Sequence, residues 1–185
     1  MASPLENIRV IDWTQWQQGP VAGLMLGDLG AEVIKIEEYK RGDPGRGVKR
    51  TNDGKHRDLP LGRVSYFEIS NRNKKSVAIN LKKKKGQEII HQLVEKSDVL
   101  LHNFRRETAQ KLGLDYQTLS KINPRLIYAL ASGYGSKGPD RNKPAPGTPG
   151  AIRTGIRPIS PRRPIPTSGR CTTTSATTRL RTTSC

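Results

Sequence analysis

Short runs of β-branched residues alternate along this chain with segments in which apolar positions recur every three or four residues, the pattern of a strand–helix repeat. Ile8-Arg9-Val10-Ile11-Asp12 reads as a strand, Trp13 to Gly19 as a loop, Val21 to Leu29 as a helix and Ala31 to Glu37 as a second strand. Pro20 suits the first turn of that helix, and Gly30 suits the left-handed residue just past its end. Two parallel strands joined by a crossover helix place the Trp13–Gly19 loop at the carboxyl edge of a sheet, where open α/β folds bind ligands. Its glutamines and tryptophans donate hydrogen bonds but do not ionise near neutral pH, so the loop is suited to positioning a ligand rather than moving protons. Packing in the core is an equal expectation for Trp13 and Trp16.

The pattern continues. Glu38 to about Leu61 reads as a long surface loop, in which Lys40, Arg41 and Arg46 could meet phosphate or simply face water. Val64 to Ile69 is a short apolar segment. Ser76 to Leu81 alternates like a strand, and Ile89, Ile90, Leu93 and Val94 mark a helix over Gln87 to Lys96. Lys82 to Lys85 crowd the entrance of that helix, against its dipole, where a bound anion would relieve them, although on charge alone an ordinary exposed lysine run is the stronger expectation. Asp98 to His102 reads as a strand with Asn103-Phe104-Arg105-Arg106 at its carboxyl end. Helices over Glu107 to Leu112 and Tyr116 to Ile122, and a strand over Leu126 to Leu130, complete the series. The alternation predicts an α/β fold with a parallel sheet covered on both faces.

Charge divides the 185 residues in two. The net charge is +17, yet the seven arginines from Thr148 onward stand with no lysine and no acid, whereas the remainder balances 26 basic against 16 acidic residues. Threonine, serine, proline and arginine dominate residues 147–185, which read as a disordered, frame-shifted basic tail following a domain over 1–146. Both cysteines, Cys171 and Cys185, fall in that tail, so the body carries no disulfide framework. No signal peptide or membrane span is apparent, and a cytoplasmic location is the default. His91 and His102 lack metal-ligand spacing. Gly133 to Gly138 matches G-x-G-x-x-G after a strand, but Pro139 to Pro144 cannot supply the helix that a dinucleotide site requires. The charge alone would also suit a basic, non-specific nucleic-acid-binding module. The loops, however, lack aromatics interleaved with basic residues for stacking bases.

The ordered series R-V-I-D-x-T-x-x-x-x-G-P, L-G-D-L-G-A-E-V-I-K-I-E, G-D-P, N-R-N-K-K-S, S-D-V-L-L-H-N-F-R, L-G-L-D-Y, N-P-R-L-I-Y-A and S-G-Y-G-S-K-G-P resembles the class III coenzyme A transferases, from about Leu5 to Pro146. The resemblance implies a Rossmann-like large domain and a homodimer of interlocked rings. It implies transfer of CoA from an acyl-CoA thioester to a free carboxylate, with CoA as substrate and no separate cofactor or metal. In that family an aspartate attacks the thioester, giving a mixed anhydride and then an aspartyl-CoA thioester. The matched positions imply that Gln17 holds the reacting carbonyl and that Ile79 and Lys82 grip adenine and phosphates. Asn103, Phe104 and Arg105 would form the next wall of the CoA site, and Lys111 would meet phosphate. Glu38 stands where some members carry a basic residue. The resemblance stops near Pro146, and no acid follows Asp140, so the chain reads as a truncated piece without the nucleophilic aspartate and without turnover.

Overall fold

A computed structural model describes residues 2–48 and 58–143. Strand β1 (Arg9–Trp13) leads into helix α1 (Gln18–Asp28) and strand β2 (Glu32–Glu38). The helix begins two residues before Pro20, which still lies in the first turn, where a missing N–H costs nothing. Its end follows the glycine mechanism: Gly30 has φ +100°, its N–H bonds to the Gly27 carbonyl at 3.0 Å, and Ala31 N–H reaches back to the Leu26 carbonyl at 3.0 Å.

The stretch read as one long surface loop is more structured than that. It contains a 3₁₀ turn at Pro44–Gly47 with Asp43 as its cap, and Asp43 is 3% exposed. Residues 49–57 lie outside the described residues. Strands β3 (Asp58–Leu59) and β4 (Arg63–Val64) form a small antiparallel pair. The apolar segment around Val64–Ile69 becomes helix α2 (Ser65–Asn71), with Phe67 buried.

Strand β5 (Lys74–Ile79) starts and stops two residues before the predicted limits, and helix α3 (Lys84–Glu95) takes two of the four lysines into its first turn. Strand β6 (Val99–His102), helices α4 (Arg106–Lys111) and α5 (Tyr116–Ile122), and strand β7 (Ile127–Leu130) follow as predicted. Residues 132–143 form turns and bends, with no helix after the glycine motif. The expected tail over 147–185 lies outside the described residues.

Five strands form one wholly parallel sheet in the order β5-β2-β1-β6-β7. Counted along the chain this is 3-2-1-4-5, the order of the Rossmann fold, with its switch point between β1 and β6. Alternation along the strands separates two faces. Ile11, Ile34, Ile36, Ile79 and Leu100 pack under α3 and α5 through Ile90, Val94 and Leu119, forming the main core. Val10, Ala31 and Val33 form a smaller core on the α1 side, with Leu26 of the helix against them.

Towards the carboxyl edge that second face turns polar. Asp12, Lys35 and Glu37 are buried there, beneath a helix carrying glycine at 19, 23 and 27. A Cβ at Gly23 would lie 2.6 Å from Asp12 Oδ2, so only glycine lets α1 settle over the charged layer. Among the described residues no helix is long and apolar enough to cross a membrane.

Candidate functional site

The ends of β1 and β6 open into two adjoining cavities at the switch point. The smaller, of about 210 Å³, is mostly apolar and is lined by Trp13, Ile79, Leu81, Lys82, Phe104 and Leu112, among others. The larger cleft, of about 810 Å³, is bordered by Gln17, Gln18, Tyr66, Arg105, Arg141 and Lys143. Gln15 and Phe104 line both, so the two spaces share a wall.

The shared wall is built by aromatic stacking. Trp13 is 4% exposed and lies nearly parallel to Phe104, with centroids 4.4 Å apart, and to His102 at 5.4 Å. Trp16, by contrast, is 52% exposed and φ-positive, so the two tryptophans of the loop do different things.

The loop after β1 is tied down by side chains from elsewhere in the chain. Asn103 accepts the Gln15 N–H at 2.9 Å and donates its amide to the Gln15 carbonyl at 2.8 Å, locking the ends of β1 and β6 together. Lys35 Nζ donates to the Thr14 carbonyl at 3.0 Å, and the Trp16 N–H donates to Asp43 Oδ1 at 3.3 Å. Thr14 Oγ1 in turn donates a short hydrogen bond to Asp12.

Beneath the loop lies a buried ionic layer. Lys35 and Asp43 pair at 2.9 Å with both side chains 1% exposed, and Lys74 pairs with Asp12 at 2.7 Å in equal burial. Lys74 also donates to the Pro20 carbonyl and to Asn71. Burial pulls its ammonium below the ordinary lysine value, with Asp12 opposing the shift. Arg46 grips Glu37 through two bonds of 2.7 and 2.8 Å, while Ser76 and the Asp43 N–H donate to the same carboxylate. Burial raises the Glu37 pKa, but these donors outweigh it and hold the group down at about 2. Arg46, offered by the sequence as a phosphate contact, is thus occupied by Glu37 and by the Phe67 ring, 3.7 Å away.

The structure brings most of the implied site residues together. Ile79 and Lys82 sit at the end of β5 on the small cavity, Gln17 and Arg105 border the cleft, and Phe104 separates the two. Asn103 borders the cleft with its amide committed to the loop. Lys111, exposed at the end of α4, lines neither cavity. Glu38 lines the small cavity while accepting the N–H groups of Lys40 and Arg41. Sequence reasoning missed Lys35, Asp43 and Lys74. The available signal was charge at Lys35 and Glu37, two alternate positions inside β2, a strand of a parallel sheet whose two faces should both be apolar.

A protein-family model described as "CoA-transferase family III" matches residues 5–168. The chain is 40% identical over 163 residues to the succinyl-CoA–D-citramalate CoA-transferase of Chloroflexus aurantiacus, covering 87% of this chain and 39% of that one. It is 40% identical over 134 residues to the formyl-CoA:oxalate CoA-transferase of Streptomyces coelicolor, covering 72% of this chain and 31% of the relative. The crystal structure of Rv3272 from M. tuberculosis superposes with a TM-score of 0.74 at 38% identity, over 89% of this chain and 43% of that one. That of a CAIB/BAIF family protein from Brucella suis gives 0.68 at 35% identity, over 77% and 37%. The chain therefore spans well under half the length of these relatives. With most of its length matched by the family model and a shared parallel α/β architecture, the chain belongs to CoA-transferase family III.

Proposed function

We propose that this chain forms the coenzyme-binding part of an enzyme that moves CoA from an acyl-CoA thioester to a free carboxylic acid. The observation that carries the reading is an apolar slot lying side by side with a wide cationic cleft at the switch point of the sheet. The slot between Trp13, Ile79 and Phe104 suits a flat adenine ring, with Lys82 at its edge to meet phosphate. The cleft carries the pantetheine arm towards Gln17, whose amide can hold the reacting carbonyl, while Arg105 adds a cation along the way. Lys111 belongs to this reading only as a peripheral contact, since it lies outside both cavities. A homodimer is part of the same proposal.

Completing the exchange needs a carboxylate free to attack the thioester. Asp12, Glu37 and Asp43, the buried carboxylates nearest this edge, are each ion-paired. Glu107, the carboxylate that borders the cleft, is exposed on α4, and the described part of the chain is expected to bind CoA without acyl transfer.

Titration calorimetry of CoA into the chain tests the binding. Binding is expected, and Lys82→Glu should weaken it by more than about tenfold, the loss of one charge-assisted contact plus repulsion. No detectable binding, or a Lys82→Glu variant that binds as well as the parent, refutes the site. A hydroxylamine-sensitive acyl adduct on this chain after incubation with acetyl-CoA refutes the absence of transfer.

A further inference from the structure

We infer that the buried Lys35–Asp43 ion pair is the positioning device of the Gln17 loop, setting where the Gln17 amide stands relative to the thioester end of a bound acyl-CoA. The inference rests on the function proposed above and assigns to two residues of β2 and the following turn a role at that site.

The loop cannot hold its own shape. Trp16 has φ +69°, a left-handed backbone that a bulky residue adopts only under constraint, and its half-exposed side chain gains too little burial to impose it. Asn103 holds Gln15, and the two constraints that flank it come from both partners of the ion pair: Lys35 Nζ holds the Thr14 carbonyl on one side of the bend, and Asp43 Oδ1 holds the Trp16 N–H on the other. Gln17 follows at once, and its carbonyl already accepts the Val21 N–H at 2.9 Å as helix α1 begins. Its position is therefore fixed between the helix on one side and residue 16 on the other.

Asp43 is itself held rigidly. Its Oδ1 accepts the Gly45 N–H at 2.8 Å, and its own N–H is bonded to Glu37, which Arg46 and Ser76 clamp. A continuous series of short polar contacts thus runs from the rigid strand β2 to the residue before Gln17.

Stability alone does not account for the pair. A buried ion pair replaced by apolar side chains of like volume commonly leaves a fold as stable or more so, because both desolvation penalties vanish. What the apolar pair could not do is donate to the Thr14 carbonyl and accept from the Trp16 N–H.

The double variant Lys35→Met/Asp43→Leu separates the two roles on the full chain. Its melting temperature should match that of the parent, and its affinity for adenosine bisphosphate, the nucleotide end of CoA, should fall by less than its affinity for acetyl-CoA, since Asp43 also borders the apolar slot. Acetyl-CoA should bind at least about tenfold more weakly, since small misplacement of a positioning group is costly. The Trp16 amide should exchange hydrogen faster. Unchanged acetyl-CoA affinity overturns the inference, and so does an equal loss for both ligands, which would mark a general structural role. Should the double variant not fold, Asp43→Asn decides instead: it keeps an acceptor for Trp16 but turns the Lys35 contact unfavourable. Selective weakening of acetyl-CoA supports the inference there, and its absence overturns it. If the parent binds neither ligand, the proposed function fails, and faster Trp16 amide exchange in the variant still supports the positioning role while unchanged exchange refutes it.

Discussion

Replacing His102 by phenylalanine should remove one component of the acid sensitivity of this fold over one defined pH range. His102 ends β6, is 1% exposed, and neither ring nitrogen has a hydrogen-bond partner. Trp13 stacks on one side and Tyr128 meets the ring edge-on at 5.0 Å, so the imidazole is enclosed by aromatic surface. Burial pushes its pKa from 6.5 down to about 4. Because the folded pKa lies below the unfolded one, the unfolded chain binds the extra proton first. The fold is thus unaffected above the unfolded value and loses stability as pH falls from 6.5 towards 4. The gap corresponds to a loss of about 3 kcal/mol, a large part of the stability of an ordinary domain. Phenylalanine keeps the stacking and has no proton to take up. It also removes two unpartnered polar atoms, so the variant should be at least about 1 kcal/mol more stable near neutral pH. Urea unfolding followed by circular dichroism, in steps from about pH 7 to about pH 4.5, measures both effects. The other two histidines are common to both proteins, so the difference between the curves isolates His102. Parallel curves for parent and variant would show that the imidazole is not held neutral by burial.

Glu37→Gln should act in a lower window. The carboxyl is held at about 2, below its ordinary 4.5, so its contribution is complete above 4.5 and is lost as pH falls towards 2. The variant should lose about 2 kcal/mol near neutral pH, a figure reduced for the half-exposed Arg46, and the difference from the parent should shrink on acidification; a constant difference at every pH would refute it. Gly86→Ala should destabilise by about 1–3 kcal/mol although alanine is the better helix former, because the new methyl would overlap the Asn80 backbone carbonyl, which cannot rotate away. A gain in thermal stability would contradict that contact. Asn80 also lines the small cavity, so the same variant should bind CoA more weakly by calorimetry.

The elements that carried a clean period were legible. The apolar runs around Val10–Ile11 and Val99–Leu100 read as strands, and Gly30 marked its helix end because the left-handed turn there demands a residue without a Cβ. Helix α2 was not legible, since its N-cap Val64 offers no capping side chain and no glycine ends it, whereas the equally short α4 is closed by Gly113 and α5 is capped by Asp115. Of the site, the cavity walls at Ile79, Lys82, Phe104 and Arg105 could be placed through the family resemblance, because they stand at strand ends fixed by topology. The layer beneath them could not, because reading Lys35 and Glu37 as buried requires knowing what covers them.

That cover and that layer explain each other. A helix bearing ordinary side chains at 19, 23 and 27 would be held off the sheet and would let water reach Asp12 and Lys35. A helix with glycine at each of these positions descends until it meets Thr14, Asp12 and Val33, and Lys74 then bonds the Pro20 carbonyl directly. Excluding water strengthens every ion pair below the loop and removes the solvent that would otherwise compete for the Thr14 carbonyl and the Trp16 N–H. The glycine spacing, which contributes nothing to an apolar core, is thus the sequence feature that makes the charged layer rigid. The rigid layer in turn fixes the loop carrying Gln17 before any ligand arrives.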